Sequence, residues 1–349
     1  MELIKRTAVV LSLFFTASIP ALAQDDIDRL LKNDINDGKL LIGGYIAPFM
    51  KSVALGLNSG WYNTAKTHKL IGIDLTITAS AMTIPKSELF YDVSKLNLSR
   101  VELVAPGSVS HPQGSPDYPN APTIFGPDRA PVYQEKGNLL PNNTYEGPSG
   151  LDLKHNVGNN WMPVPMVHLG IGLPKGTDLK VRFTPSIDIN DNSHFKLFGI
   201  GVMHDVKQYI PGLRLLPFDL SAFVGYTHLA INYKYTNTDI MTDNARGEMA
   251  MNATTIQGVI SKKVSVLTVY GGLGYNIVKS NLSMLGKWDV NNDGTYQSQE
   301  VNPLDLRYTA SGPRMSAGFR LKLAVFTLHA DYTLQKYNAL TVGFGINVR

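Results

Sequence analysis

Residues 315–349 read MSAGFRLKLAVFTLHADYTLQKYNALTVGFGINVR, and their patterning decides the fold class. Met315, Ala317, Phe319 and Leu321 interleave with Ser316, Gly318, Arg320 and Lys322. Phe326, Leu328, Ala330, Tyr332 and Leu334 interleave with Thr327, His329, Asp331, Thr333 and Gln335. Leu340, Val342, Phe344, Ile346 and Val348 do the same against Thr341, Gly343, Gly345, Asn347 and Arg349. Successive strand side chains point to opposite faces, so a period of two describes a sheet with one apolar and one polar side. Each run approaches the roughly 9–11 residues of a tilted transmembrane strand. A soluble antiparallel sandwich alternates in the same way, so the rest of the chain has to choose.

The N-terminus points to export. Lys5 and Arg6 precede an apolar run from Thr7 to Pro20, and Ala21-Leu22-Ala23 has the small-x-small form of a signal-peptidase site. Residues 1–23 therefore read as a signal peptide, leaving a mature chain that starts at Gln24. With no cysteine, the chain has neither a disulfide framework nor a lipobox. Without Glu2, Lys5 and Arg6, 30 basic and 27 acidic residues remain. That balance gives no footprint for nucleic acid.

Composition favours a membrane barrel. Charged residues make up 17%, against about 25% in soluble domains. After the signal no clean run of 18 apolar residues occurs; the nearest, Leu40–Leu57, carries Pro48 and Lys51. The expectation is an all-β membrane protein, a monomeric antiparallel transmembrane β-barrel in the outer-membrane bilayer. It divides into the signal peptide, an N-terminal helical plug or hatch at 24–66, and the barrel at 67–349.

Within the hatch, Ile27, Leu30, Leu31 and Ile35 share one helical face, and Ile46, Phe49, Met50, Val53 and Leu57 share another. Gly38, Gly43 and Gly44 suggest a break between two short helices. The second face supplies the candidate hatch and ligand-contact residues. A periplasmic cap or a loosely ordered leader is the alternative placement. Strands are expected at Lys69–Thr83, Val164–Leu173, Asp178–Ile187, Phe195–Tyr209, Leu215–Tyr235, Ala253–Ile260 and Val264–Tyr275, before the terminal three. Long extracellular loops fall at 85–162, 236–252 and 276–305, the first interrupted by nine prolines from Pro106 to Pro148. Counting gives ten strands, or twelve if residues 85–105 add a pair, with both termini on the periplasmic side.

The segments Leu57–Lys66, Gly172–Thr177 and Asp331–Asn338 resemble a family of uncharacterised Gram-negative outer-membrane proteins, distantly similar to the long-chain fatty-acid transporter (FadL) superfamily. The resemblance implies an N-terminal hatch within a barrel that conducts hydrophobic molecules. Fourteen strands are usual in those transporters, which sets the expected range at about 10–14.

One motif has metal-ligand spacing. Asp289-Val-Asn291-Asn-Asp293-Gly294-Thr295-Tyr-Gln-Ser-Gln-Glu300 fits D-x-[DN]-x-[DN]-G-x5-E. Asp289, Asn291, Asp293, the Thr295 carbonyl and a bidentate Glu300 would supply oxygens to Ca2+, and Gly294 the turn. The alternative is a solvated Asn/Asp/Gly loop, because residues 281–287 make a poor entering helix. The glycine pairs at 170–172 and 271–274 do not form a dinucleotide fingerprint. No G-x-S-x-G or H-E-x-x-H occurs, so the chain reads as a non-enzyme. Trp61, Trp161, Trp288, Tyr209, Tyr226, Tyr233, Tyr270, Tyr308, Tyr332 and Tyr337 are candidates for interfacial girdles. Two functions follow as expectations: a barrel that binds or passes a small hydrophobic molecule, or a non-transporting anchor that presents its loops.

Overall fold

The computed structural model describes residues 30–31, 34–137, 140, 143–190, 193–234, 241–291 and 293–348. The signal peptide expected at 1–23 and Ile27 lie outside them. A helix, α1 (Ile35–Gly56), precedes the first barrel strand, β1 (Ile73–Thr83). Residues 84–160 then form a cap. It contains β2 (Phe90–Asp92), β3 (Val101–Leu103), β4 (Asn120–Pro122), β5 (Val132–Glu135), β6 (Tyr145–Glu146) and the short helix α2 (Leu153–Val157). These strands pair only with one another, β2 with β4 and β5 with β3 and β6, so none joins the barrel.

The barrel resumes with β7 (Trp161–Leu173), β8 (Thr177–Asn190), β9 (Ser193–Asp205), β10 (Asp219–Lys234), β11 (Thr242–Val264) and β12 (Leu267–Trp288). After β13 (Leu304–Thr309) come β14 (Gly312–Leu323), β15 (Phe326–Leu334) and β16 (Ala339–Val348). Neighbours pair antiparallel around the ring, and the β1–β16 and β11–β12 ladders close it. Ten strands make the wall, and β13 pairs with the far end of β12 beside β14.

Burial shows which way the pleat faces. On β1, Asp74, Thr76, Thr78 and Ser80 are buried while Ile73, Leu75 and Ile77 are exposed. The terminal strands repeat this, with Phe319, Leu328, Val342 and Phe344 outside and Arg320, Thr327, His329, Asp331 and Thr341 inside. A soluble sandwich would show the reverse. An apolar wall around a polar interior is stable only where hydrocarbon replaces water outside, so the fold is an outer-membrane-type barrel.

The β14–β15 connection has no Gly, Asn or Pro and is a two-residue hairpin turn, Ala324-Val325, with Leu323 opposite Phe326. Ala324 takes φ 54°, and Lys175 and Ser265 take similar left-handed angles in the other tight turns of that rim. Two expected loops are shorter than their composition suggested, the first ending earlier and the second beginning later. Residues 242–252 belong to β11, and residues 276–288 belong to β12. Asn and Asp are poor strand formers, but register-matched pairing along a 23-residue β11 and a 22-residue β12 overrides that preference. The hairpin therefore projects beyond the shorter neighbouring strands.

The plugged lumen as candidate functional site

The segment before β1 occupies the barrel interior. Asp34 caps α1 by accepting from the amides of Asn36 and Asp37, each at 2.9 Å. The two short helices expected from Gly38, Gly43 and Gly44 are one helix of 22 residues. Packing on every side overrides the glycine penalty, and Gly44 is required because a Cβ there would meet the Tyr91 ring at 2.6 Å. Pro48 lacks an amide proton, which leaves the Gly44 carbonyl without its helical donor. Around this weak point the barrel and cap contribute hydrogen bonds: Tyr308 donates to the Gly43 carbonyl (3.2 Å) and the Ile124 amide to the Tyr45 carbonyl (3.0 Å).

All five hatch residues fall in one apolar cluster. Phe49, Met50, Val53 and Leu57 are buried, and Ile46 packs against them. The wall they touch is apolar on its inner face, with Met162, Val164 and Met166 from β7, Phe195 and Leu197 from β9, and Met251 from β11. The cap closes this chamber with Ile124 and Phe125. Methionine adapts to irregular apolar shapes, so the chamber could re-form around a different occupant.

Below Gly56 the chemistry changes. Arg182, buried inside β8, donates to the carbonyls of Leu57 (2.7 Å) and Ser59 (2.6 Å) and lies 3.6 Å over the Trp61 ring. Arg314 donates to the Asn58 carbonyl (2.8 Å), and Asn58 donates to the Thr254 carbonyl and to Asn276 Oδ1, both at 3.0 Å. Trp61 sits against Phe223, above Gly201 and Gly225, where any Cβ would come within about 3.0 Å of these rings. Tyr62 donates to Gln257 Oε1 (2.6 Å).

Further down, Ala65 is held between Ser221, which donates to its carbonyl, and Ser261, which accepts from its amide. His68 bonds Asp178 (2.8 Å) and approaches Asp74 (3.5 Å), which also faces Lys180 (3.8 Å) and His168 (3.6 Å). A void beside Asp74 and another beside Trp61 each have about 10 Å³ of free space. That is about one water. The plug packs the lumen along its length.

The calcium-type loop holds its donors together on one turn. Asp289 accepts from the amides of Asp293 (2.9 Å) and Gly294 (2.8 Å), Asp293 from the Thr295 amide and hydroxyl, and Glu300 from the amides of Val290 (3.0 Å) and Gln297 (2.7 Å). Gly294 takes φ 81°, the left-handed turn expected of it. Asn291 uses its amide on Asp293. Among the described residues no three His, Cys, Asp or Glu side chains converge as metal ligands. Calcium coordination here remains an expectation about the loop.

The aromatic girdle divides. Trp161, Tyr209, Tyr226 and Tyr332 are exposed as expected, but Trp61, Trp288, Tyr270 and Tyr337 are buried inside. Their positions near strand ends and loops did not distinguish membrane interface from lumen. Sequence reasoning also passed over Asp74, Lys180, Arg182 and Arg314. The signal available was a charge on the polar face of an otherwise apolar-alternating strand, because such charges must point into the lumen.

Among solved structures the chain is similar to Ail, the attachment invasion locus protein of Yersinia pestis (10% identity, covering 80% of this chain and 99% of that one, TM-score 0.27). It is also similar to the translocator domain of the autotransporter NalP from Neisseria meningitidis (10%, 86% and 93%, TM-score 0.30). A Pseudomonas aeruginosa FadL homologue gives 12%, 83% and 65%, with TM-score 0.27. Likeness at this level adds nothing to the strand register above as an argument for mechanism. No curated relative matches the chain. A family model spans residues 2–348, and on that match the chain belongs to the family of unknown function DUF6588.

Proposed function

We propose that the protein is a gated outer-membrane barrel that binds a small hydrophobic molecule and passes it through the lumen when α1 shifts. The observation that carries this reading is the apolar inner wall around α1. Lumens of such barrels are ordinarily polar, yet this one offers methionine, valine and phenylalanine to its helix. A hydrophobic guest would meet the same surface that α1 now covers. Gly43, Gly44 and Pro48 place a bendable point where the helix must yield.

Deletion of residues 25–60 tests this. The expected outcome is ion conductance in planar bilayers and faster uptake of hydrophobic compounds by cells than with the intact protein. Unchanged conductance and uptake would sink the hatch. A second reading, a plugged anchor that presents its cap to a partner, is supported by the seal that residues 84–160 make over the chamber. It predicts that trimming the cap abolishes partner binding while the barrel still neither conducts nor retains lipid.

A further inference from the structure

The plug enters the barrel from the rim opposite to the one where β1 begins. At its start, Leu30, Leu31, Leu41 and Ile42 are buried with Val101 of the cap, with Trp288 at the far end of β12 and with Leu304 at the start of β13. Asp37 is latched to the cap by the amides of Ser99 (2.8 Å), Arg100 (2.7 Å) and Val101 (2.8 Å) and by the Ser99 hydroxyl (3.0 Å). Asp34 adds an ion pair to Arg100 at 3.7 Å. At the other end, Ala65 is fixed between the first turn of β10 and the last of β11, and His68 reaches Asp178 beside the tight β7–β8 turn.

The chain thus crosses the lumen once before β1. Ten wall strands return it to the rim where β1 begins, so the single extra crossing leaves residue 30 and residue 348 at opposite rims. The expectation that both termini share one side counted strands and omitted this crossing. Long connections face outside the cell in such barrels and tight turns face the periplasm.

We propose that the start of the plug, Leu30–Leu31 and the first turns of α1, lies on the extracellular side, so that the barrel carries this end of its own plug across the outer membrane and packs it against the cap. The proposal rests on the membrane orientation of the barrel and not on any hydrophobic ligand.

The absence of cysteine makes the test direct. Asn36 and Leu40 are exposed on α1, Lys154 is exposed on the cap, and Leu215 is exposed between β9 and β10 on the tight-turn rim. Each is replaced singly by cysteine in the full chain (Asn36→Cys, Leu40→Cys, Lys154→Cys, Leu215→Cys), and intact cells are treated with a membrane-impermeant maleimide. The expected result is full labelling at positions 36, 40 and 154, with position 215 reacting only after permeabilisation. Labelling of 154 without 36 and 40 overturns the proposal, provided those thiols react once the barrel is denatured. Labelling of 215 without 154 in intact cells overturns it too, because the rims would then be reversed. Both outcomes are independent of transport, so failure here leaves the gating reading standing.

Discussion

The lumen holds its plug in two different ways. In the outer half, α1 is gripped by apolar side chains, whose dispersion contacts are non-directional and tolerate sliding. In the inner half, residues 57–68 are held by fixed donors and acceptors from Arg182, Arg314, Asn276, Ser221, Ser261 and Asp178. Charge-assisted hydrogen bonds of this kind lose most of their strength with small displacements. On the proposed gating, the inner half is the anchor, and the apolar stretch of α1 between the Asp37 latch and Gly56 is the part that moves.

The largest effect should come from breaking the anchor. Arg182→Ala removes two hydrogen bonds from a cation, worth about 1.5–3 kcal/mol each, and a buried contact over Trp61 worth about 2 kcal/mol. Relief of a buried charge offsets part of this, leaving a loss of about 4 kcal/mol. Thermal melting should report the loss, and planar-bilayer recordings should show an ionic leak absent from the intact protein. A variant that stays closed would mean that the outer half alone retains the plug.

Met50→Ala should behave differently. Truncating this buried side chain costs about 3 kcal/mol through lost burial and an apolar cavity. The cavity should stay dry and accept a small apolar compound. Toluene should therefore raise the melting temperature of Met50→Ala more than that of the intact protein, with no gain in conductance. Conductance appearing here and not in Arg182→Ala would invert the comparison.

Asp37 tests the join between helix and cap. Burial pushes its carboxyl pKa up, but hydrogen bonds from the Ser99, Arg100 and Val101 backbone and the Ser99 hydroxyl outweigh burial and hold it below the ordinary 3.8. A carboxylate depressed in the folded state contributes stability that is fully present above the ordinary value and is lost as pH falls through the folded one. Asp37→Asn should cost about 2 kcal/mol at neutral pH. The gap between variant and parent should shrink below pH 3.8. A gap that stays constant down the titration would show that the carboxylate charge does not hold the latch.

Much of this was legible from residues 315–349 and from the composition. The period of two and the scarcity of charge point to a barrel, because both can be read without knowing which residues meet in space. The amphipathic face at residues 46–57 was equally readable. What lay beyond local patterning was the environment along the lumen axis. Arg182 and Lys180 look alike in sequence, yet one supports Trp61 and the other faces Asp74. The glycines of α1 suggested a break because their packing partners, Tyr91 and Leu306, lie far off in the chain. Strand counting likewise could not register a crossing made by a helix.

The smallest expected effect concerns the loop beyond the outer rim. Asp289 and Glu300 are each about 1% exposed and already brace the turn through backbone amides. Their spacing leads us to propose a calcium site with the weak, millimolar affinity of extracellular modules. At tenfold excess over such a dissociation constant, binding to the folded state alone adds about 1.4 kcal/mol. Calcium should raise the melting temperature of the intact barrel and leave the Asp289→Ala, Glu300→Ala double variant unmoved, with magnesium ineffective in both. If the intact protein shows no calcium-dependent rise, the backbone hydrogen bonds are the whole of the bracing. The loop then belongs with the directional, self-sufficient contacts of the inner plug and not with a ligand-tuned outer surface.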